Sequence, residues 1–129
     1  MSKVQQQVAE FHEVFDLERS KYPKLPENYE LRTALIGEEL YELEQAFKKR
    51  DLVAVADGIG DLLYVVYGTA VACGISMDEV MDEIHASNMT KVGGFKREDG
   101  KWMKPPTYKK PNLAPILERQ FNEYTQYCG

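Results

Sequence analysis

The chain has 129 residues, 43% hydrophobic and 29% charged, enough for one domain with an apolar core of its own. Its two cysteines, Cys73 and Cys128, form neither a CxxC pair nor a dense framework, which excludes a disulfide scaffold and leaves reduced thiols as the expectation. The formal charge of −5 is unevenly spread: seven Lys and Arg between Lys91 and Lys110 face only Glu98 and Asp99, and the remainder is acidic, a pattern that suits a bound anion.

The N-terminus, MSKVQQQVAEFHE, lacks the apolar core of a signal peptide, so a cytoplasmic protein is expected. Val4, Val8, Phe11 and Phe15 fall near helical spacing and predict an amphipathic helix over 3–19, ended by Pro23 and Pro26. A second helix is predicted from about Asn28 to Arg50. Asp51 is a suitable N-cap for a third reaching Cys73, and Gly74 supplies its stop. This third segment is long enough to span a membrane, but Asp57 and Asp61 would each cost about 2.5–3.5 kcal/mol at mid-span. A buried helix of a soluble bundle is expected instead. Ser76-x-x-Glu79 reads as a capping box opening a fourth helix to about Lys91, with Met77, Val80, Met81 and Ile84 inward. Residues 92–113 carry Gly93, Gly94, Gly100, Pro105, Pro106 and Pro111, which predicts an irregular basic arm with a hairpin turn at Asp99-Gly100. A short helix over about Pro115–Tyr124 follows. The fold class is all-α, a single domain with a four-helix bundle core, an irregular C-terminal arm and a short terminal helix.

Glu38, Glu39 and Glu42 fall within about 100° of the second helix, an arc shared with Leu31 and Leu35. Ile36, Leu40, Leu43 and Phe47 are expected to face the core from the adjoining arc, with Tyr41, Glu44, Gln45 and Lys48 towards solvent. Asp57 and Asp61 lie about 40° apart on the third helix, among Val53, Val55, Ile59, Leu62, Leu63, Val65 and Val66. Burial of an unpaired carboxylate costs several kcal/mol, so the aspartates are expected to be buried beside a partner. Five carboxylates on two facing helices suit Mg²⁺ or Mn²⁺, hard ions that take oxygen ligands. A solvated face is the plainer reading for Glu38, Glu39 and Glu42 taken alone, and buried pairing with Arg or Lys is the alternative for the aspartates. Gly58 and Gly60 each cost a helix interior about 1 kcal/mol and imply that something packs close to the backbone, most simply another helix.

Taken together, Glu38-Glu39-x-x-Glu42, the acidic pair in ADGIGDLLYVVYGTA, HASNMTK and the GKWMKP arm resemble the all-α nucleoside triphosphate pyrophosphatase superfamily. That group includes MazG-like enzymes, dimeric dUTPases and phosphoribosyl-ATP pyrophosphohydrolase, and the resemblance covers about residues 8–117. It implies a metal-dependent enzyme, a homodimer or homotetramer, that cleaves a nucleoside triphosphate between its α and β phosphates, with no stable nucleic-acid partner and no membrane. Glu39, Glu42 and Asp61 would be the metal ligands, and Glu38 a ligand or the group that orients the attacking water. Gly58 stands three before Asp61, where the superfamily's ExxD pattern has an acid, so Asp57 would stand in for it. Asn88 and Lys91 match positions that contact the nucleotide and its phosphates, although helix-end preferences alone also account for them. Lys101 and Lys104 would bring charge to the phosphates. Trp102 would stack on a base or anchor the arm, and His12 would line the nucleotide pocket or serve structure. Rivals remain: phosphoribosyl-ATP as substrate, or a non-catalytic helical module whose basic arm binds nucleic acid or protein. A di-iron bundle wants two Glu-x-x-His elements, and only Asp82-x-x-His85 approximates one.

Overall fold

The starts of the first three helices are decided locally by a polar side chain. In the computed structural model, which describes residues 1–128 with side chains through 126, Ser2 Oγ accepts the Gln5 N–H at 3.2 Å and opens α1 (Lys3–Val14). Asn28 and Asp51 do the same for α2 (Tyr29–Lys48) and α3 (Leu52–Cys73), and Gly74, at φ 66°, ends α3 as predicted. α1 stops at Val14, short of the predicted residue 19. Asp16 turns left-handed at φ 52° and the Leu17 N–H reaches back to the His12 carbonyl at 2.8 Å, so the helix closes before either proline.

The capping box predicted for α4 (Met77–Met89) does not form. Ser76 makes no side-chain cap bond; instead Gln5 Oε1 accepts the Met77 N–H at 2.9 Å, and the Gln120 amide bonds both the N–H and the carbonyl of Ser76. Glu79 is drawn to Arg119. Beyond α4, β1 (Phe95–Lys96) and β2 (Trp102–Met103) pair antiparallel around Asp99-Gly100, the predicted hairpin, with Gly100 at φ 96°. α5 (Ala114–Cys128) runs longer than predicted. The result is an all-α fold with a four-helix core and a terminal helix. Cys73 is a free thiol; the Cys128 side chain lies outside the described residues.

α2 and α3, joined by a tight turn, pack along each other, and α1 lies on α3. Gly58 is the close-approach point: a Cβ there would come 3.2 Å from Leu43 Cα, so helix contact explains this glycine, whereas Gly60 faces open space. The face that α2 packs is rotated from the predicted one. Arg32 and Ala46 are buried and Leu35, Glu39 and Leu43 half-buried, while Leu40 and Phe47 are exposed at 54% and 59%. Arg32 sets this rotation, donating from Nη2 to the Val65 carbonyl at 3.0 Å and from Nε to Thr69 Oγ1 at 3.3 Å. On α4 the covered face runs through Val80 and Ser87, where the arm crosses, and Met81 faces outward.

α3 also departs from expectation. Its most apolar window has a mean hydropathy of 1.4, long and apolar enough by those measures to cross a membrane, yet only 11% of it is buried. Asp57 and Asp61 are exposed too, so the expected burial of the aspartates is wrong for the single chain. Both departures follow from what packs on α3: among the described residues only α1 and α2 make extensive contact with it. At about 100° per residue, Glu38, Glu42, Asp57 and Asp61 fall on one side of the antiparallel α2/α3 pair. Leu40, Phe47, Leu52, Ile59, Leu63 and Val66 fall on the other. The pair therefore has an acidic side and an apolar side, with Glu39 in the seam.

Candidate active site

Glu39 is the centre of the acidic side. Its Oε2 is buried and has no hydrogen-bond partner. Its carboxyl is held above the ordinary 4.5, first by burial and then by the charges of Asp61, Glu42, Glu38 and Asp57. The other four predicted carboxylates, all exposed, thus act on the one in the seam. None of them ion-pairs with Lys or Arg among the described residues, so the pairing alternative for the aspartates is not what the fold uses. Among the described residues no group of three or more His, Cys, Asp or Glu closes to metal-ligand spacing, in keeping with four like charges that repel and flexible rotamers that let them spread.

The donor set fits a hard divalent cation. It is all carboxylate oxygen, and an orphaned buried oxygen among four negative neighbours is the kind of group a cation satisfies. Glu39, Glu42 and Asp61, with Asp57, are the residues that could hold one. Glu38 is on the solvent-facing edge of the same cluster.

The basic residues gather elsewhere. Asn88, Lys91 and Trp102, with Met89 and Val92, line a shallow depression of about 420 Å³ at the end of α4. Trp102 is both anchor and surface: its indole N–H donates to the Lys91 carbonyl at 2.8 Å, yet the residue remains 45% exposed. The arm is tied to α4 by buried Ser87, whose hydroxyl donates to the Lys109 carbonyl at 2.7 Å, and by Thr90 Oγ1, which accepts the Lys109 N–H at 2.8 Å. Lys91 and Lys104 both lie over the Tyr108 ring, at 5.6 and 5.0 Å from its centroid. Lys101 is exposed at the hairpin tip, its N–H bonded to Asp99 Oδ1. Neither α4 nor the hairpin packs extensively on α2 or α3, so one chain brings the acids together and the bases together without joining the two sets.

His12 belongs to neither set. It is 3% exposed, and its Nδ1 lies 2.8 Å from the Glu18 carbonyl, which can only accept, so Nδ1 carries the proton. Burial first, and then the charges of Arg32 and Arg19, lower its pKa below 6.5. Gly68 makes room for it: a Cβ there would sit 2.9 Å from His12 Nε2 and against the Arg32 guanidinium. Sequence reasoning missed Arg32, Ser87 and Tyr108. The available signals were Arg32 seven residues before Glu39 on one helical arc, and a lone tyrosine in a proline-rich arm. A larger cavity of about 1220 Å³ opens at the far end of α3, lined by α1, residues 16–27 and α5 with acids and bases mixed, and it shares no residue with the acidic side.

An uncharacterized protein of Acanthamoeba polyphaga mimivirus is 39% identical over 67 residues, 52% of this chain and 24% of the relative. The chain thus spans about a quarter of the length of that curated relative. The sequence model of the phosphoribosyl-ATP pyrophosphohydrolase family matches residues 8–88, which takes in α2, α3, nearly all of α4 and all five carboxylates. The chain belongs to the phosphoribosyl-ATP pyrophosphohydrolase family, within the MazG-like all-α nucleoside triphosphate pyrophosphatase superfamily.

Proposed function

We propose that the protein is a pyrophosphohydrolase that cleaves a nucleoside triphosphate between its α and β phosphates, giving the monophosphate and pyrophosphate. The observation that carries this reading is the unpartnered, buried Glu39 Oε2 in a ring of four carboxylates. Such a group is unfavourable unless a cation accompanies it. Glu39, Glu42 and Asp61, assisted by Asp57, would hold Mg²⁺, or Mn²⁺ in its place. A bound divalent ion supplies neutralisation of phosphate charge and makes a nearby water more acidic. Glu38, exposed at the edge of the cluster, accepts the proton of the attacking water and directs it at the phosphorus. Asn88, Lys91, Lys101 and Lys104 hold the nucleotide and its leaving pyrophosphate, and Trp102 offers its exposed ring to the base.

Because the acidic and basic sets lie apart in one chain, the reading includes a second copy. The apolar side of α2 and α3 is the surface it would cover, giving a homodimer or a dimer of dimers. A lipid partner is disfavoured because Asp57 and Asp61 sit mid-helix. The test is pyrophosphate release from a panel of canonical and modified nucleoside triphosphates, with Mg²⁺ or Mn²⁺. Phosphoribosyl-ATP belongs in that panel, since the family match favours it as the second reading. No release from any of them returns the chain to a non-catalytic role.

A further inference from the structure

Two ammonium groups over a single aromatic ring, neither in an ion pair among the described residues, need an explanation. Lys91 comes from the end of α4 and Lys104 from the residue after β2, yet their Nζ atoms lie 5.6 and 5.0 Å from the centroid of the same Tyr108 ring. Neither ion-pairs with a carboxylate among the described residues. Left to themselves two long cationic side chains would separate, since they repel and gain rotamer freedom by doing so. The attraction of each ammonium to the ring's π-electrons offsets that for both.

The ring itself is firmly placed. Its backbone N–H donates to the Pro105 carbonyl at 3.1 Å, its hydroxyl lies 3.3 Å from buried Ser87 Oγ, and the next residue is bonded to α4 through both its N–H and its carbonyl. The depression lined by Asn88, Lys91 and Trp102 adjoins it through Lys91. A dianionic or trianionic group reaching both ammoniums would therefore meet donors already gathered.

We propose that Tyr108 is a positioning residue: its ring gathers Lys91 and Lys104 into a two-point clamp for a diphosphate group. This deepens the pyrophosphohydrolase reading and rests on it for the identity of the ligand. The geometry assigns the ring, rather than the hydroxyl, the gathering role.

The test is titration of inorganic pyrophosphate into the full chain, without divalent metal so that the carboxylates contribute no attraction. Wild type and Tyr108→Phe are expected to bind within two-fold of each other, and Tyr108→Leu about five-fold more weakly, the size of a modest cation–π contribution. The Lys104→Ala loss should be smaller in the Tyr108→Leu background than in wild type. Nucleotide turnover by Tyr108→Leu should show raised KM with kcat little changed. Circular dichroism checks that each variant is folded. Equal binding by Tyr108→Leu and wild type would overturn the clamp, as would equal losses in Tyr108→Phe and Tyr108→Leu, or no binding by wild type. Bound pyrophosphate with no hydrolysis of any nucleotide would instead sink the enzymatic reading and leave the clamp standing.

Discussion

Glu39 on α2 and Asp61 on α3 face each other across the helix seam, and after burial the Asp61 charge is the largest influence holding the Glu39 carboxyl above its ordinary value. One acid therefore weakens the ionisation of another, an arrangement that is costly until a cation arrives. Asp61→Asn removes that repulsion together with one of the carboxylates proposed to bind the cation. It should abolish turnover, by at least about 100-fold, while helical content is retained. Added Mg²⁺ should raise the melting temperature of wild type and not of this variant, because only a ligand bound by the native state stabilises it. A variant with near wild-type rate at saturating Mg²⁺ would remove Asp61 from the ligand set.

Gly68 should tolerate no side chain. An added Cβ meets the Arg32 guanidinium and comes 2.9 Å from His12 Nε2, and Arg32 cannot retreat without losing its bonds to Val65 and Thr69. Gly68→Ala is expected to destabilise by about 1–3 kcal/mol despite alanine's better helix propensity. Urea unfolding measures this. An unchanged midpoint would mean that Arg32 is free to move.

His12 should make stability depend on mild acid. Its folded pKa lies below 6.5, chiefly through burial, so the unfolded chain takes up a proton before the native one does. Stability is thus fully present above about 6.5 and is lost as pH falls from there through the lower folded value. Between pH 7 and 5, above the range where ordinary carboxylates dominate, wild type should lose more stability than His12→Gln. Parallel pH profiles of the two proteins would contradict the assignment.

The elements were legible because their signals are local. Asn28, Asp51 and Gly74 cap helices by bonds to residues within four positions, and those bonds formed. Ser76 and Glu79 carried an equally good local signal, but Gln5, Gln120 and Arg119 from distant segments offered both ends better partners. The acidic set was legible because 3.6 residues per turn decides which acids share a side. Burial was not. Apolar composition placed α3 in the interior, but how much of a helix is covered depends on its neighbours, and α1 and α2 leave Leu52 and Val53 each 81% exposed. The rotation of α2 turned on Arg32, whose buried contacts are with Val65 and Thr69, more than thirty residues away.

The uncovered apolar side leads to the last expectation. Ile59, Leu63 and Val66 are 45%, 51% and 42% exposed along α3, and Leu40 and Phe47 continue the surface on α2. Gly60 lies beside this stripe with open space over its backbone, so another helix can approach there as closely as Leu43 approaches Gly58. Contiguous apolar surface of this kind on a folded chain marks an interaction site. If a second copy covers it, Leu63→Lys places a charge in the middle of the contact and should yield monomers by light scattering. That variant leaves Glu38, Glu39, Glu42, Asp57 and Asp61 untouched. It should nonetheless lose most pyrophosphate release, because in the single chain Asn88 and Lys91 are not packed against the acids. A Leu63→Lys monomer that hydrolyses nucleotide at the wild-type rate would show that one chain holds a complete site.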